Sequence, residues 1–195
     1  MKSLKILLAA GAFAVLSTPS VAQIAGNDGQ QFIDAVEKRD GDKATQLIAD
    51  HPTVIDTRNG DGDTGLIIAI RGSDHDWTGF LLNKGADPNL QGKNGDTPLI
   101  TAAKAGFGEA AQWLIGLGAN IDATNKAGET PLIIAVQQRD APMVKLLLTH
   151  GADPDKSDHV AGYSARDYAN RDSRARDIQK LINDKKPKGA STAAN

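Results

Sequence analysis

Thr64-Gly65-Leu66, Thr97-Pro98-Leu99 and Thr130-Pro131-Leu132 stand 33 residues apart, and no other feature of this 195-residue chain restricts its fold as strongly. A second motif keeps the same step: Gly85-Ala86-Asp87-Pro88-Asn89, Gly118-Ala119-Asn120-Ile121-Asp122 and Gly151-Ala152-Asp153-Pro154-Asp155. Two unrelated motifs on one period signal a tandem array in which each unit covers its neighbour's apolar face. Ala69, Ala102 and Ala135 follow five residues after each Thr, and Phe80-Leu81-Leu82, Trp113-Leu114-Ile115 and Leu146-Leu147-Leu148 are in register too.

Thr before Pro supplies a side-chain acceptor at a helix N-cap and, at the first helical position, a residue without the N–H that would go unpaired there. Helices are therefore expected to start at Pro98 and Pro131. The alanines keep one face of that short helix small, so that neighbouring units can approach closely. Each apolar triplet marks a second helix, ended by Gly85, Gly118 or Gly151 in the left-handed conformation. An extended stretch follows, turning at Gly95 or Gly128 into the next Thr.

In motif, length and order of elements the pattern resembles the ankyrin repeat, with units at 62–94, 95–127 and 128–161. The resemblance implies an all-α solenoid of stacked antiparallel helix pairs with projecting hairpin fingers. Two departures stand out: Gly65 replaces Pro in the first unit, and Ile67, Ile100 and Ile133 occupy the place of the family's His. One step back, Phe32 to Lys38 and Ala44 to Ala49 read as an N-terminal cap unit over 29–61. One step forward, with one residue inserted near Asp158 to Ala161, Gly162-Tyr163-Ser164-Ala165 opens a C-terminal cap unit over 162–184 with polar Arg166, Asp167, Arg171 and Arg174.

Outside the array, Lys2 and Lys5 precede an apolar run from Ile6 to Leu16 and the small residues Ser20-Val21-Ala22, the pattern of a cleaved export signal ending at Ala22. That run is too short for the roughly 20 residues a membrane-spanning helix needs. Residues 23–28 are expected to be a short linker, and 185–195 a disordered basic tail. The absence of cysteine excludes disulfides, thiolate metal sites and cysteine nucleophiles. Charge is uneven: residues 23–162 hold 12 Lys/Arg against 20 Asp/Glu, and residues 163–195 hold 8 against 4.

Ankyrin arrays present a concave face built from finger tips and the exposed side of the first helices. Carried onto this chain, the resemblance selects Arg58, Asp61, Asp63, Gln91, Lys93, Asn94, Asp96, Thr124, Lys126 and Glu129 from the fingers. From the first helices it selects Arg71, Lys104, Gln137 and Gln138, and Phe107 is added as an exposed aromatic in the turn after Gly106. Their mixed signs make a nucleic acid a poor partner. Trp77 and Trp113 fall at helical spacings that face the stack. Asn59-Gly60-Asp61-Gly62-Asp63 alternates oxygen ligands, yet it lacks the Gly and the bidentate Glu of a calcium loop. His51, His75, His150 and His159 have no metal-ligand spacing, and no nucleophile elbow or phosphate loop occurs.

The resulting expectation is a non-enzymatic binding module without cofactor or metal, periplasmic, monomeric when free and docking an unidentified protein on its concave face. The resemblance to small exported bacterial ankyrin proteins adds an expected role beside oxidative-defence enzymes such as catalases. A secreted effector acting on host proteins would use the same face, and an exported hydrolase would need a pocket of perturbed acids; both stay open at this point.

Overall fold

In a computed structural model the chain is described over residues 21–185, with side chains from residue 27. Its helices come in pairs: α1 (Val21–Lys38) with α2 (Gly41–Asp50), α3 (Gly65–Arg71) with α4 (His75–Asn83), and α5 (Pro98–Ala105) with α6 (Gly108–Gly116). α7 (Pro131–Gln137) with α8 (Ala141–Thr149) and α9 (Ala165–Arg171) with α10 (Arg176–Asn183) complete five layers.

The starts of the inner helices follow from one hydroxyl each. Thr64, Thr97 and Thr130 Oγ1 accept from the amides of Ile67, Ile100 and Ile133 at 3.3, 3.2 and 3.2 Å, and Ser164 Oγ accepts from Asp167 N at 3.2 Å. At Ser164 the cap is reciprocal, since Asp167 Oδ2 accepts from the Ser164 amide at 2.9 Å. Three outer helices start on an aspartate: Asp40, Asp74 and Asp140 accept from Lys43, Trp77 and Met143 N at 3.0, 3.1 and 3.0 Å. Each cap satisfies a helix-end donor that has no partner inside the helix.

α4, α6 and α8 stop where glycine permits a left-handed turn. Gly85, Gly118 and Gly151 have φ of 92°, 87° and 92°. The amides of Ala86, Ala119 and Ala152 then return to the carbonyls of Leu81, Leu114 and Leu147 at 3.0, 2.9 and 3.0 Å. This closure caps the last turn.

Inner helices pack in chain order, α1 on α3, α3 on α5, α5 on α7 and α7 on α9. Ala102, Ala135 and Ala169 are fully buried at these contacts, while Leu66, Leu99, Leu132 and Leu147 fill the core between layers. A fully buried Leu stabilises by about 1.5–3 kcal/mol relative to an exposed one, so a core of small aliphatics is sufficient when layers are this thin.

One segment differs from expectation. Residues 23–28, read as a linker, belong to α1, which is described from Val21 onward; no proline interrupts that stretch, and Gly26 and Gly29 alone do not break it. Residues 1–20 and most of the expected basic tail, 186–195, lie outside the described residues. Among the described residues no helix is long and apolar enough to cross a membrane.

Candidate functional site

Between layers the chain forms four fingers, near residues 57–63, 90–96, 123–129 and 157–163. Three are folded by one side chain at the same register. Asn59 Oδ1 accepts from Asp61 and Asp63 N at 3.0 Å each, and Asn125 Oδ1 from Ala127 and Glu129 N at 3.0 Å each. Asp158 Oδ1 gathers the amides of Val160, Ala161 and Gly162 at 3.0, 2.7 and 3.0 Å. The second finger has Gly92 at this position, and the carboxylate of Asp63 from the neighbouring finger fills the space, accepting from Lys93 N at 2.7 Å.

Successive fingers are joined. Lys126 N donates to Asn94 O at 2.9 Å, and His159 N donates to Ala127 O at 2.8 Å. A Cβ at Gly128, which has φ of 81°, would run into the His159 backbone, so this joint requires glycine. Gln91 Nε2 reaches Thr124 O at 3.1 Å, and Lys93 Nζ reaches Asp61 Oδ1 at 3.2 Å. The tips thus form one continuous edge.

The acid before each cap belongs to the frame more than to the edge. Asp63 is only 1% exposed; its Oδ2 accepts from Arg71 Nη2 at 2.7 Å while its Oδ1 holds the next finger. Asp96 takes Lys104 Nζ at 2.6 Å and Asn125 Nδ2 at 3.1 Å, and Glu129 takes the same amide at 2.9 Å. The expectation that Asp63 is a finger-surface contact is therefore corrected, and Asp96 and Glu129, half-buried, bind mainly within the frame. Phe107 is corrected as well: it packs half-buried against the core at the start of α6, in the N-cap position held by aspartate in the first, second and fourth layers.

What remains open to a partner is Arg58, Asp61, Gln91, Lys93, Asn94 and Lys126 along the fingers, with Thr124 half-buried. Arg71, Lys104, Gln137 and Gln138 are exposed on the inner helices. Arg58 and Gln91 line a cleft of about 480 Å³ with Asn89 and Asn120, and Gln137 lines another of about 350 Å³ between α7 and α9. Sequence reasoning missed the fourth tip, where His159 is exposed and Val160 is 81% exposed. Its signal was the one-residue insertion near Asp158 to Ala161, which lengthens that finger.

Tyr168 Oη donates to Asp158 Oδ2 at 2.6 Å, tying α9 to the fourth finger. Burial works against ionisation of Asp158, but this hydrogen bond and the three amides outweigh it and hold the carboxyl below its ordinary value. The same contact pushes the Tyr168 phenol up. Among the described residues no group of three or more His, Cys, Asp or Glu could hold a metal ion.

Compared with known protein families, the chain matches the one described as Ankyrin repeats (3 copies), over residues 32–125, 66–158 and 112–188. The chain belongs to the ankyrin-repeat family. None of the curated proteins compared with it gives a match. Ankyrin repeats are generally modules of protein–protein interaction, and the overlapping matches span all five helix pairs of this array.

Trp77 is buried as the ankyrin register requires, whereas Trp113 is only half-buried and meets the His75 ring edge-on at 4.8 Å between centroids. Both sequence departures are absorbed. Gly65 sits buried against Phe32 and Val36, where a Cβ would crowd their side chains, and the isoleucines in place of His donate the capped amides.

Proposed function

We propose that this ankyrin protein is an exported binding module that docks a folded partner protein along its finger tips and the exposed flank of α3, α5 and α7. The observation that carries the reading is the continuous edge of joined fingers, which holds Asp61, Lys93, Asn94, Lys126 and Val160 outward on a backbone fixed by its own hydrogen bonds. Preorganisation of this kind lowers the ordering cost of association. Export is supported by the N-terminal sequence pattern, and a bacterial envelope partner from oxidative defence by the resemblance to small exported ankyrin proteins. An array of this type offers shape to a partner and needs no chemistry of its own.

Affinity capture from an envelope extract, followed by mass spectrometry, tests the reading. The wild-type chain is expected to retain a discrete partner, and the variant carrying Lys93→Ala, Asn94→Ala and Lys126→Ala to lose it. Identical partner lists would remove the proposed face. Cell fractionation tests the location, with the mature chain expected in the periplasmic fraction and not in the medium.

A further inference from the structure

Three inner helices carry a cation seven residues after the cap: Arg71, Lys104 and Arg171. In α3 and α5 it is neutralised inside its own layer, by Asp63 at 2.7 Å and by Asp96 at 2.6 Å. The fifth layer breaks the rule. Tyr163 stands where the acid would be, and the Arg171 guanidinium lies over its ring, 4.5 Å from the centroid. Asp167, one turn back on α9, is committed to the cap through Ser164 N at 2.9 Å and Ser164 Oγ at 2.6 Å.

Beside Arg171 opens the cleft of about 350 Å³ between α7 and α9, lined by Gln137, Arg139, Tyr168, Arg171, Asp172 and Arg174. Arg139 Nε donates to Asp172 Oδ2 at 2.5 Å, and Asp172 Oδ1 accepts from Arg174 N at 3.1 Å. The Arg174 guanidinium stays 3.6 Å from that carboxylate, with its side chain 76% exposed. Three guanidinium groups therefore face one carboxylate. The contact with the Tyr163 ring holds the Arg171 guanidinium at the cleft without an acid in the place of Asp63 or Asp96, and its planar N–H fork suits a carboxylate.

We propose that this cleft receives an acidic, extended segment of a partner protein, with Arg171 and Arg174 donating to its Asp or Glu carboxylates. The inference rests on the reading of the array as a protein-docking module and carries the docking surface past the fingers to the last layer. Charge complementarity selects the occupant. Residues 23–162 bear eight more acids than bases, so a long polyanion laid along the array would be repelled over most of its length. A short acidic segment reaches the cleft, where three guanidinium groups outnumber the single Asp172 carboxylate.

The test uses the full chain and a fluorescent peptide of alternating Glu, Asp and Gly, with its Gln and Asn counterpart, inorganic phosphate and a single-stranded oligonucleotide as further arms. Expected is binding of the acidic peptide, at least about tenfold weaker for the amide counterpart and for Arg171→Gln, as loss of a charge-assisted contact implies. Arg174→Gln, at an exposed side chain, is expected to act in the same direction with folding intact, and Lys84→Gln on α4 to change nothing. Equal binding of both peptides, indifference to both arginine variants, or tighter arginine-dependent binding of the oligonucleotide or of phosphate would overturn the proposal. If the peptide binds while capture lists ignore the finger variants, the finger face falls and the cleft stands. Peptide indifference with partner loss in the finger variants removes the cleft alone.

Discussion

Asp63 shows how one side chain can belong to two layers. Its carboxylate pairs with Arg71 in its own layer and accepts the Lys93 amide from the next, in a space that exists because Gly92 has no side chain. Asp63→Ala is expected to cost about 1–3 kcal/mol in urea unfolding, since a buried amide loses its acceptor. Asp63→Asn keeps an acceptor and should recover part of that. Arg71→Gln, at a half-exposed guanidinium, should cost less than about 1 kcal/mol. The residue types of Asp63, Asp96 and Glu129 are polar and their positions are on fingers, so a linear reading places them on the surface. Asp63 and Asp96 are covered by a neighbour 29 residues away, Gly92 or Asn125, and Glu129 by Asn125 of its own finger; only the shared register of acid and cap hints at it. Phe107 is a similar case, an aromatic in the turn before α6 whose apolar side chain packs against the core from an N-cap position.

Helix starts and stops were the most legible elements, because each depends on a local side chain or a glycine. Less legible was what α4 and α6 do to each other. His75, at the first position of α4, places Nε2 3.0 Å from Glu109 in the first turn of α6, and its ring edge meets Trp113. The hydrogen bond that His75 donates to Glu109 raises the His75 pKa above 6.5, with desolvation acting against it and the charges of Glu109 and Asp76 adding to it. A raised folded pKa means that the imidazolium contact contributes below pH 6.5 and is lost as pH rises through the folded value. In a Trp77→Phe background, Trp113 emission is expected to titrate with a midpoint above 6.5, and Glu109→Gln should bring the midpoint down. A midpoint that ignores Glu109 would contradict this pairing. Nothing in the spacing of a lone His announces such a contact, since its partner sits 34 residues on and on another helix.

Across the whole molecule, the lowered carboxyl pKa values gather at one end. Asp167 is held down chiefly by the Ser164 hydroxyl and amide, Asp172 by Arg139, and Asp158 by Tyr168 and three amides in spite of its burial. Groups depressed in the folded state stabilise it above their ordinary value of 3.8, and that contribution is lost as pH falls through the lower folded values. Acid should therefore loosen the last layer before the middle ones. Both tyrosines, Tyr163 and Tyr168, lie in that layer and both tryptophans in the second and third, so in a Trp113→Phe background, free of the His75 titration, tyrosine absorbance is expected to change at a higher pH than Trp77 emission during acid titration. Coincident transitions would show one cooperative unit. The number of layers was readable from the 33-residue step, whereas the acidic and basic ends acquire meaning only once Arg171 is seen without the acid its counterparts have. Because the bonds between fingers join a residue to one about a single period away, no finger depends on the total count of layers. A lineage carrying this gene could duplicate or excise the segment 95–127 in frame, and the fingers on either side of the scar would meet complementary donors and acceptors again. Such an array can change its reach by whole units long before it changes its architecture.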